Sequence, residues 1–370
     1  NKSILVFITN GMGEIDLILP YLWSINRINK GYHITVLCQN YEVYSTIKTD
    51  RLWKDIIKKI SIKLEYLEIY DFSQNSFFKR TLRYFKIPFL IANLFFQIIK
   101  NRYLLIDYGN IRSKLCIIGK YIALALNKKI IAIPHTSNPD FLESFLDIPK
   151  NIKFKKREIL LSIDKYSYSY NYYILGFKKQ IYVGNPRKSE AFKDYIGKFS
   201  KKTDSYILIF SYRTMNSFFT FESKIEHIKD IYNVVRKFYG NKKILIKPHP
   251  RETAKELTKI ISILNIKNIS ISYDNSLLLI KNSILTIGIA TSASQISLYF
   301  DKPSINYFLN LEKLINFLEV KPQYSYLKLN NAFSKSELEK LILNLNDNSL
   351  STPKRFKEIN NQIKDIFHLV

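Results

Sequence analysis

Cysteine is nearly missing from this chain of 370 residues: only Cys38 and Cys116 occur, each inside an apolar run. With no metal-ligand spacing around either thiol, the scarcity excludes a disulfide framework and a cysteine-based zinc site, and points to a reduced compartment with buried thiols. Acidic side chains are also in short supply, 31 Asp plus Glu against 57 Lys plus Arg, which leaves a formal net charge of +26. No apolar run reaches the roughly 18 to 20 residues that a membrane span requires. The opening KSILVFITNG runs straight into a strand-like segment without the basic start, apolar stretch and cleavage site of a secretion signal, so a cytoplasmic location is expected.

What is present is a large apolar fraction. Hydrophobic residues make up 46% and aromatics 14% of the chain, enough to bury two cores, so the charge decorates a folded globule rather than a disordered tail. Part of the excess Lys accompanies many Ile and Asn, the mix of an A+T-rich coding sequence. The rest favours an anionic partner: nucleic acid, an anionic membrane face or a phosphorylated substrate. The longest apolar stretch, Ile87 to Ile99, is flanked by Lys79, Arg80, Arg83 and Lys86 on one side and Lys100 and Arg102 on the other. It is too short to span a bilayer, and reads either as an interfacial helix or as a buried core helix.

The pattern along the chain alternates. Ser3 to Thr9 is a β-branched run ended by Asn10, Gly11 and Gly13, Ile15 to Lys30 has helical spacing, and His33 to Cys38 is a second strand. The alternation recurs at Tyr103 to Asp107, Leu115 to Leu126 and Lys129 to His135. After a connecting region with the basic run Asn151 to Glu158, it restarts with strands at 206–210, 243–247, 269–272, 283–288 and 303–308. Helical stretches at 221–239, 253–264 and 294–300 separate them. This is an α/β chain with parallel sheets. The expected domains are 1–186 and 205–333, followed by a polar helical tail, 334–370. Ligands of such sheets bind at the carboxyl ends of strands, so two sheets facing each other form a cleft walled by strand-end loops.

Those loops hold most of the unusual polar residues. Ile244 to Glu252, ILIKPHPRE, delivers Lys247, His249 and Arg251 to one loop, with Pro248 and Pro250 fixing the backbone around the histidine. Such donors converge on a phosphate or carboxylate; a plain basic turn is the alternative. About forty residues later a strand ends in Gly288, and Thr291, Ser292 and Ser294 open an apolar helix. Hydroxyls and free N–H groups there make an anion cradle or an ordinary N-cap. Arg213, after the first strand of the second half, is a further candidate for an anion.

A His-Pro loop followed by a Ser-rich strand-to-helix turn resembles the donor-binding half of GT-B glycosyltransferases. The likeness is strongest to those using CMP-activated acidic sugars: bacterial sialyltransferases, polysialyltransferases and capsule Kdo transferases. More distantly it resembles the CDP-glycerol glycerophosphotransferases, whose usual Asp-Tyr-Ser-Ser is GIATSAS here. The resemblance implies a GT-B fold, two Rossmann-like domains facing across a cleft. It also implies transfer of a sialic-acid-like or Kdo-like sugar from CMP to a capsule or lipopolysaccharide glycan, on a free or lipid-linked acceptor. His249 would contact the CMP phosphate, Thr291, Ser292 and Ser294 would complete its cradle, and Glu252 would reach the ribose or base. No cofactor and no metal are expected, in keeping with the lack of an Asp-x-Asp pair at any strand end.

The acceptor side departs from the pattern. The Asp-Asp-Gly motif of the sialyltransferases is missing, its nearest form being Asp107-Tyr108-Gly109. His135, in IPHTSNPD, resembles the catalytic His loop of the glycerophosphotransferases, with Asp140 to orient it or to act as the base. Glu14, on the first glycine loop, is either an acceptor-side residue or a charge complementing a helix N-terminus. VGNPR, Val183 to Arg187, reads as a hinge turn, and His33, His227 and His368 as structural. Polyol-phosphate transfer from CDP-glycerol is the alternative enzyme. Nucleic-acid binding is the alternative of another class, disfavoured because no nucleic-acid module is recognisable among the 26 Tyr and 25 Phe. The expected place of work is the inner face of the cytoplasmic membrane, against anionic lipid.

Overall fold

A computed structural model describes residues 2–9, 12–28, 30–67, 77–107, 114–133, 158–162, 179–182, 185–199, 205–214, 219–250, 252–289, 292–309 and 330–346. The chain divides into two compact units between Ser189 and Glu190. In the first, seven parallel strands run in the order β3-β2-β1-β4-β5-β6-β7: β1 (Ser3–Ile8), β2 (His33–Cys38), β3 (Lys63–Tyr66), β4 (Tyr103–Asp107), β5 (Lys129–Ile133), β6 (Glu158–Ser162) and β7 (Lys179–Tyr182). β1 and β4 are buried along their whole length, as expected of parallel strands covered on both faces, and this is why they read as continuous apolar runs.

The helices of this unit are α1 (Met12–Ile28), α2 (Tyr41–Thr49), α3 (Arg51–Lys59), α4 (Phe77–Lys100) and α5 (Lys114–Ala125). Asp50 separates α2 from α3 and caps the latter, its carboxylate accepting from Leu52 N at 2.9 Å and Trp53 N at 3.0 Å. Leu94 and Ile98 of α4 enter the core with Leu5, Leu104 and Ile106. Gly119 of α5 lies so close to β1 that a Cβ there would stand 2.3 Å from the Phe7 ring. Lys120 and Glu158, both buried, pair at 3.0 Å and tie α5 to the start of β6. Burial pushes the Lys120 amine down, against the pull of Glu158.

The second unit repeats the design with six parallel strands, in the order β10-β9-β8-β11-β12-β13: β8 (Tyr206–Phe210), β9 (Ile244–Lys247), β10 (Ile269–Ile271), β11 (Ser283–Gly288), β12 (Ser304–Tyr307) and β13 (Asn330–Ala332). Its helices are α6 (Glu190–Gly197), α7 (Phe221–Tyr239), α8 (Ala254–Leu264), α9 (Ser276–Asn282), α10 (Ser292–Tyr299) and α11 (Lys335–Asn346). Ile228, Ile231, Val234 and Val235 form the buried stripe of α7 against Ile207, Ile246 and Ile287 of the sheet.

The structure differs from the sequence reading at the C-terminal tail. Leu338 and Ile342 of α11 are fully buried and belong to the second core, and β13 adds an edge strand before them. Residues 335–346 therefore complete the second domain, and their polar outer face had masked the short apolar stripe. Likewise α6, which lay between the expected domains, packs on α9 within the second unit. The strands β3, β6 and β13, three to five residues each, went unread because so few residues carry no periodic signal.

Candidate functional site

In each sheet the chain builds outward from the first strand and then crosses to its other side, so the order reverses between β1 and β4 and between β8 and β11. Loops at the carboxyl ends flanking such a reversal are where open α/β sheets bind ligands. In the second domain the register sharpens this. Phe210 pairs with Lys247 on one side and with Gly288 on the other, and Gly288 pairs with Asn306. The ends of β9, β8, β11 and β12 thus stand in one row, and the loops bearing His249, Arg213 and Ser294 leave the sheet side by side.

The His249 loop is held by a buried charge cluster. Glu252 Oε2 accepts from His249 N at 3.0 Å, and Glu252 N donates to His249 O at 2.8 Å, closing the turn from both ends. The other carboxylate oxygen accepts from Ser211 Oγ at 3.0 Å and from Lys224 Nζ, which also donates to Glu256 at 2.8 Å. Burial pushes the Glu252 carboxyl up, while Lys224, the His249 amide and Ser211 favour its charged form. Glu252 therefore faces inward and shapes the loop, a part different from the expected ribose or base contact. Lys224 escaped the sequence reading. Its signal was a lysine on the buried stripe of α7, four residues before Ile228, where a charge is costly unless paired.

The His249 ring is half-exposed and leans on Tyr212, the centroids 5.5 Å apart. Lys247 Nζ donates to Tyr273 O at 2.9 Å and ties the end of β9 to the turn after β10. Arg213 is half-buried on the same edge. Ser294, in the first turn of α10, is fully buried, and its hydroxyl has no hydrogen-bond partner among the described residues; the same holds for the Asn306 side-chain oxygen. Orphaned buried polar atoms are uncommon, and these two lie near the carboxyl ends of β11 and β12. Asn306 was not singled out in the sequence because it sits inside an apolar strand. Arg251, Thr291 and the Ser292 side chain lie outside the described residues.

His227, read as structural, is so. It is buried, stacks on Tyr307 with centroids 5.0 Å apart, and its Nε2 lies 3.1 Å from Tyr307 O. A carbonyl only accepts, so Nε2 carries the proton. Burial first, and the Lys224 charge after it, push its pKa down to about 4, against the opposing hydrogen bond to Tyr307.

In the first domain, Glu14 and Asp107 flank the β1/β4 reversal, and both are buried. Glu14, in the first turn of α1, accepts from Thr9 N at 2.6 Å and from Thr9 Oγ1 at 2.9 Å. Both oxygens are engaged by the strand end, so this carboxylate closes the β1–α1 turn, and its place in the helix also complements the dipole. Burial, with the Glu14 charge beside it, raises the Cys38 thiol to about 12, which keeps it protonated; Cys38 and Cys116 are both buried, and neither forms a disulfide. Asp107 ends β4 and pairs with Ile133, the last residue of β5. His135 and Asp140 lie outside the described residues. In the expected hinge turn, Asn185 accepts from Arg187 N and Nε, both at 3.1 Å. Arg187 is buried there, which makes it part of the turn.

No family model matches the chain, and no curated protein sequence matches it. Solved structures do. The UDP-GlcNAc 2-epimerase of Methanocaldococcus jannaschii superposes with a TM-score of 0.59 at 14% identity, covering 99% of both chains. That of Neisseria meningitidis, bound to UDP-GlcNAc, gives 0.60 at 12% identity over 99% of this chain and 98% of the other. A UDP-glucosyltransferase of Polygonum tinctorium gives 0.52 at 12% identity over 99% and 93%. The fold is GT-B. Within this GT-B chain, no group of three or more His, Cys, Asp or Glu among the described residues is placed to hold a metal ion.

Proposed function

We propose that the protein is a glycosyltransferase that binds a nucleotide-sugar donor on the carboxyl edge of its second domain. The single observation that carries this reading is the row Lys247, Phe210, Gly288 and Asn306. In that row the loop after β8, which bears Arg213, lies between the His249 loop and the strand that leads to α10 and its buried Ser294. His249 and Arg213 bind the donor phosphate, with Ser294 and the N–H groups opening α10 completing the cradle. As the sugar leaves, charge grows on that phosphate, and fixed donors lower the barrier by meeting it without reorganisation. The proposed base for the acceptor hydroxyl is Asp107 or the His135–Asp140 pair.

The proposed donor is a CMP-activated acidic sugar, sialic-acid-like or Kdo-like, and the acceptor a bacterial capsule or lipopolysaccharide glycan on a lipid carrier. The form of the PHPRE loop supports the cytidine donor, and the transfer is proposed to need no metal. Calorimetry with CMP-sugars, CDP-glycerol and UDP-sugars tests it: CMP-sugar binding that survives EDTA and weakens at least about tenfold in His249→Ala is expected. Binding of UDP-sugars alone overturns the cytidine assignment. A second reading, action on a UDP-sugar, is favoured by the UDP-named structural neighbours. If it involves epimerisation, the sugar nucleotide changes configuration with no acceptor present.

A further inference from the structure

The first domain leaves one helix face uncovered. Along α4, Leu94 and Ile98 point into the core, while Pro88, Phe89, Ile91, Ala92, Phe95, Phe96 and Ile99 are exposed, Phe89 at 77% and Phe96 at 59%. At 100° per residue these exposed positions share one side of the helix, without a charge between Pro88 and Ile99. The neighbouring α5, which packs against α4, adds exposed Ile118 and Tyr121. Aromatic residues bared in this number on a single helix mark an interaction surface.

The C-terminal end of the same helix opens on a cavity of about 550 Å³ whose lining includes Ser3, Lys100, Asn101, Arg102, Lys128 and Lys129. Its frame is hydrogen-bonded. Lys128 Nζ donates to Ile99 O at 2.7 Å, Ser3 Oγ to Lys100 O at 3.2 Å, Arg102 N to Ser3 Oγ at 3.1 Å, and Asn101 Nδ2 to Gln97 O at 2.7 Å. Burial and the like charges of Arg102 and Lys179 push the Lys129 amine down. The acid at the start of the next strand, Glu158, is buried and paired with Lys120. Crowded cations at the rim of a polar cavity gain from an anion, and the apolar side chains beside them select one that comes attached to hydrocarbon.

We propose that this side of the first domain docks on a bilayer containing anionic lipid, with the outward face of α4 at the boundary between headgroups and acyl chains and the Lys100/Arg102/Lys128/Lys129 cavity receiving a headgroup phosphate. No helix among the described residues is long and apolar enough to cross a membrane, so the contact is interfacial. Neither signal holds a protein to a membrane firmly alone, and here an apolar face and a basic site adjoin. α4 connects parallel strands and so runs antiparallel to them. Lying flat, its 24 residues, about 36 Å, would run along the membrane level from the cavity toward the carboxyl edge of the sheet. The inference deepens the proposed lipid-linked acceptor without depending on the donor.

Flotation of the full chain with phosphatidylcholine vesicles, with and without phosphatidylglycerol, tests it. Recovery with the anionic vesicles, reversed by salt, and little with phosphatidylcholine alone is expected. Arg102→Glu/Lys129→Glu should weaken anionic binding at least about tenfold, given roughly a fivefold effect for each basic charge near such a surface. Phe89→Ser/Phe96→Ser should abolish flotation while thermal unfolding stays unchanged, since both rings are exposed. Equal recovery with both vesicle types, unchanged flotation of both variants, or a concentration-dependent dimer that the Phe variant dissolves would overturn it. Cleavage of a water-soluble donor, followed in the same samples, separates the two proposals. A wild type that cleaves donor but does not float sinks the docking surface alone; one that floats but cleaves nothing sinks the transferase alone.

Discussion

Both domains bury a lysine against a glutamate, but at opposite ends of their sheets. In the first, Lys120 of α5 meets Glu158 at the start of β6, on the edge away from the β1/β4 loops. In the second, Lys224 of α7 meets Glu252 just past β9, under the His249 loop. A buried pair is seldom worth more than the apolar residues that would replace it, whereas removing one partner strands a charge. What such a pair supplies is position. The second domain places its pair at the loop where the candidate donor site lies, and the first on its opposite edge. The exposed apolar residues differ in the same sense. Among the described residues, those of the second domain, Ile263, Tyr273 and Leu343, are scattered over two helices and a turn, while five of the first lie on α4.

Removing the lysines is the most severe way to break this comparison. Lys224→Met strands Glu252 and Glu256, and Lys120→Met strands Glu158; each should cost about 3–5 kcal/mol in urea unfolding. Only Lys224→Met should also weaken nucleotide binding, because only that pair holds a candidate binding loop. Equal loss of binding in both variants would erase the distinction.

Acid should separate the domains next. The His227 pKa of about 4 lies below the ordinary 6.5. A depressed value means that the neutral, folded form is fully favoured above about pH 6.5 and that this advantage disappears as pH falls through 4. The second domain should lose about 3 kcal/mol over that window, measured by unfolding at stepped pH. His227→Phe, which keeps a ring against Tyr307, should flatten that dependence.

A smaller effect belongs to the first domain. Gly119→Ala drives a methyl group into Phe7 and should cost about 1–3 kcal/mol, largely recovered in Gly119→Ala/Phe7→Leu by thermal melting. Least of all, Asp50→Ala removes the cap of α3 and should cost about 1 kcal/mol in the same measurement, with no change in the second domain.

Much of the fold was legible beforehand because buried parallel strands must be continuously apolar and the helices between them must be striped. The helix 221–239 was read to its ends, bounded by Thr220, whose hydroxyl accepts from Ser223 N, and by Gly240 at positive φ. The His249 loop was legible too, since prolines on both sides of a histidine stiffen the backbone just where a strand delivers it to the sheet edge. Lys224 and Asn306 were not. Each is one polar residue in an apolar pattern, and what it meets is decided by segments 28 and 25 residues away.

The sequence alone determined the α/β alternation, the two-domain plan and the position of the strand-end loops, because each rests on local periodicity and on residues whose backbone preferences act within a few positions. Only the tertiary structure decided which loops share a row, that Glu252 and Glu14 turn inward, and that the apolar face of α4 stays bare beside a basic cavity. Register, partners and exposure are set by contacts between distant segments, and no local pattern encodes those.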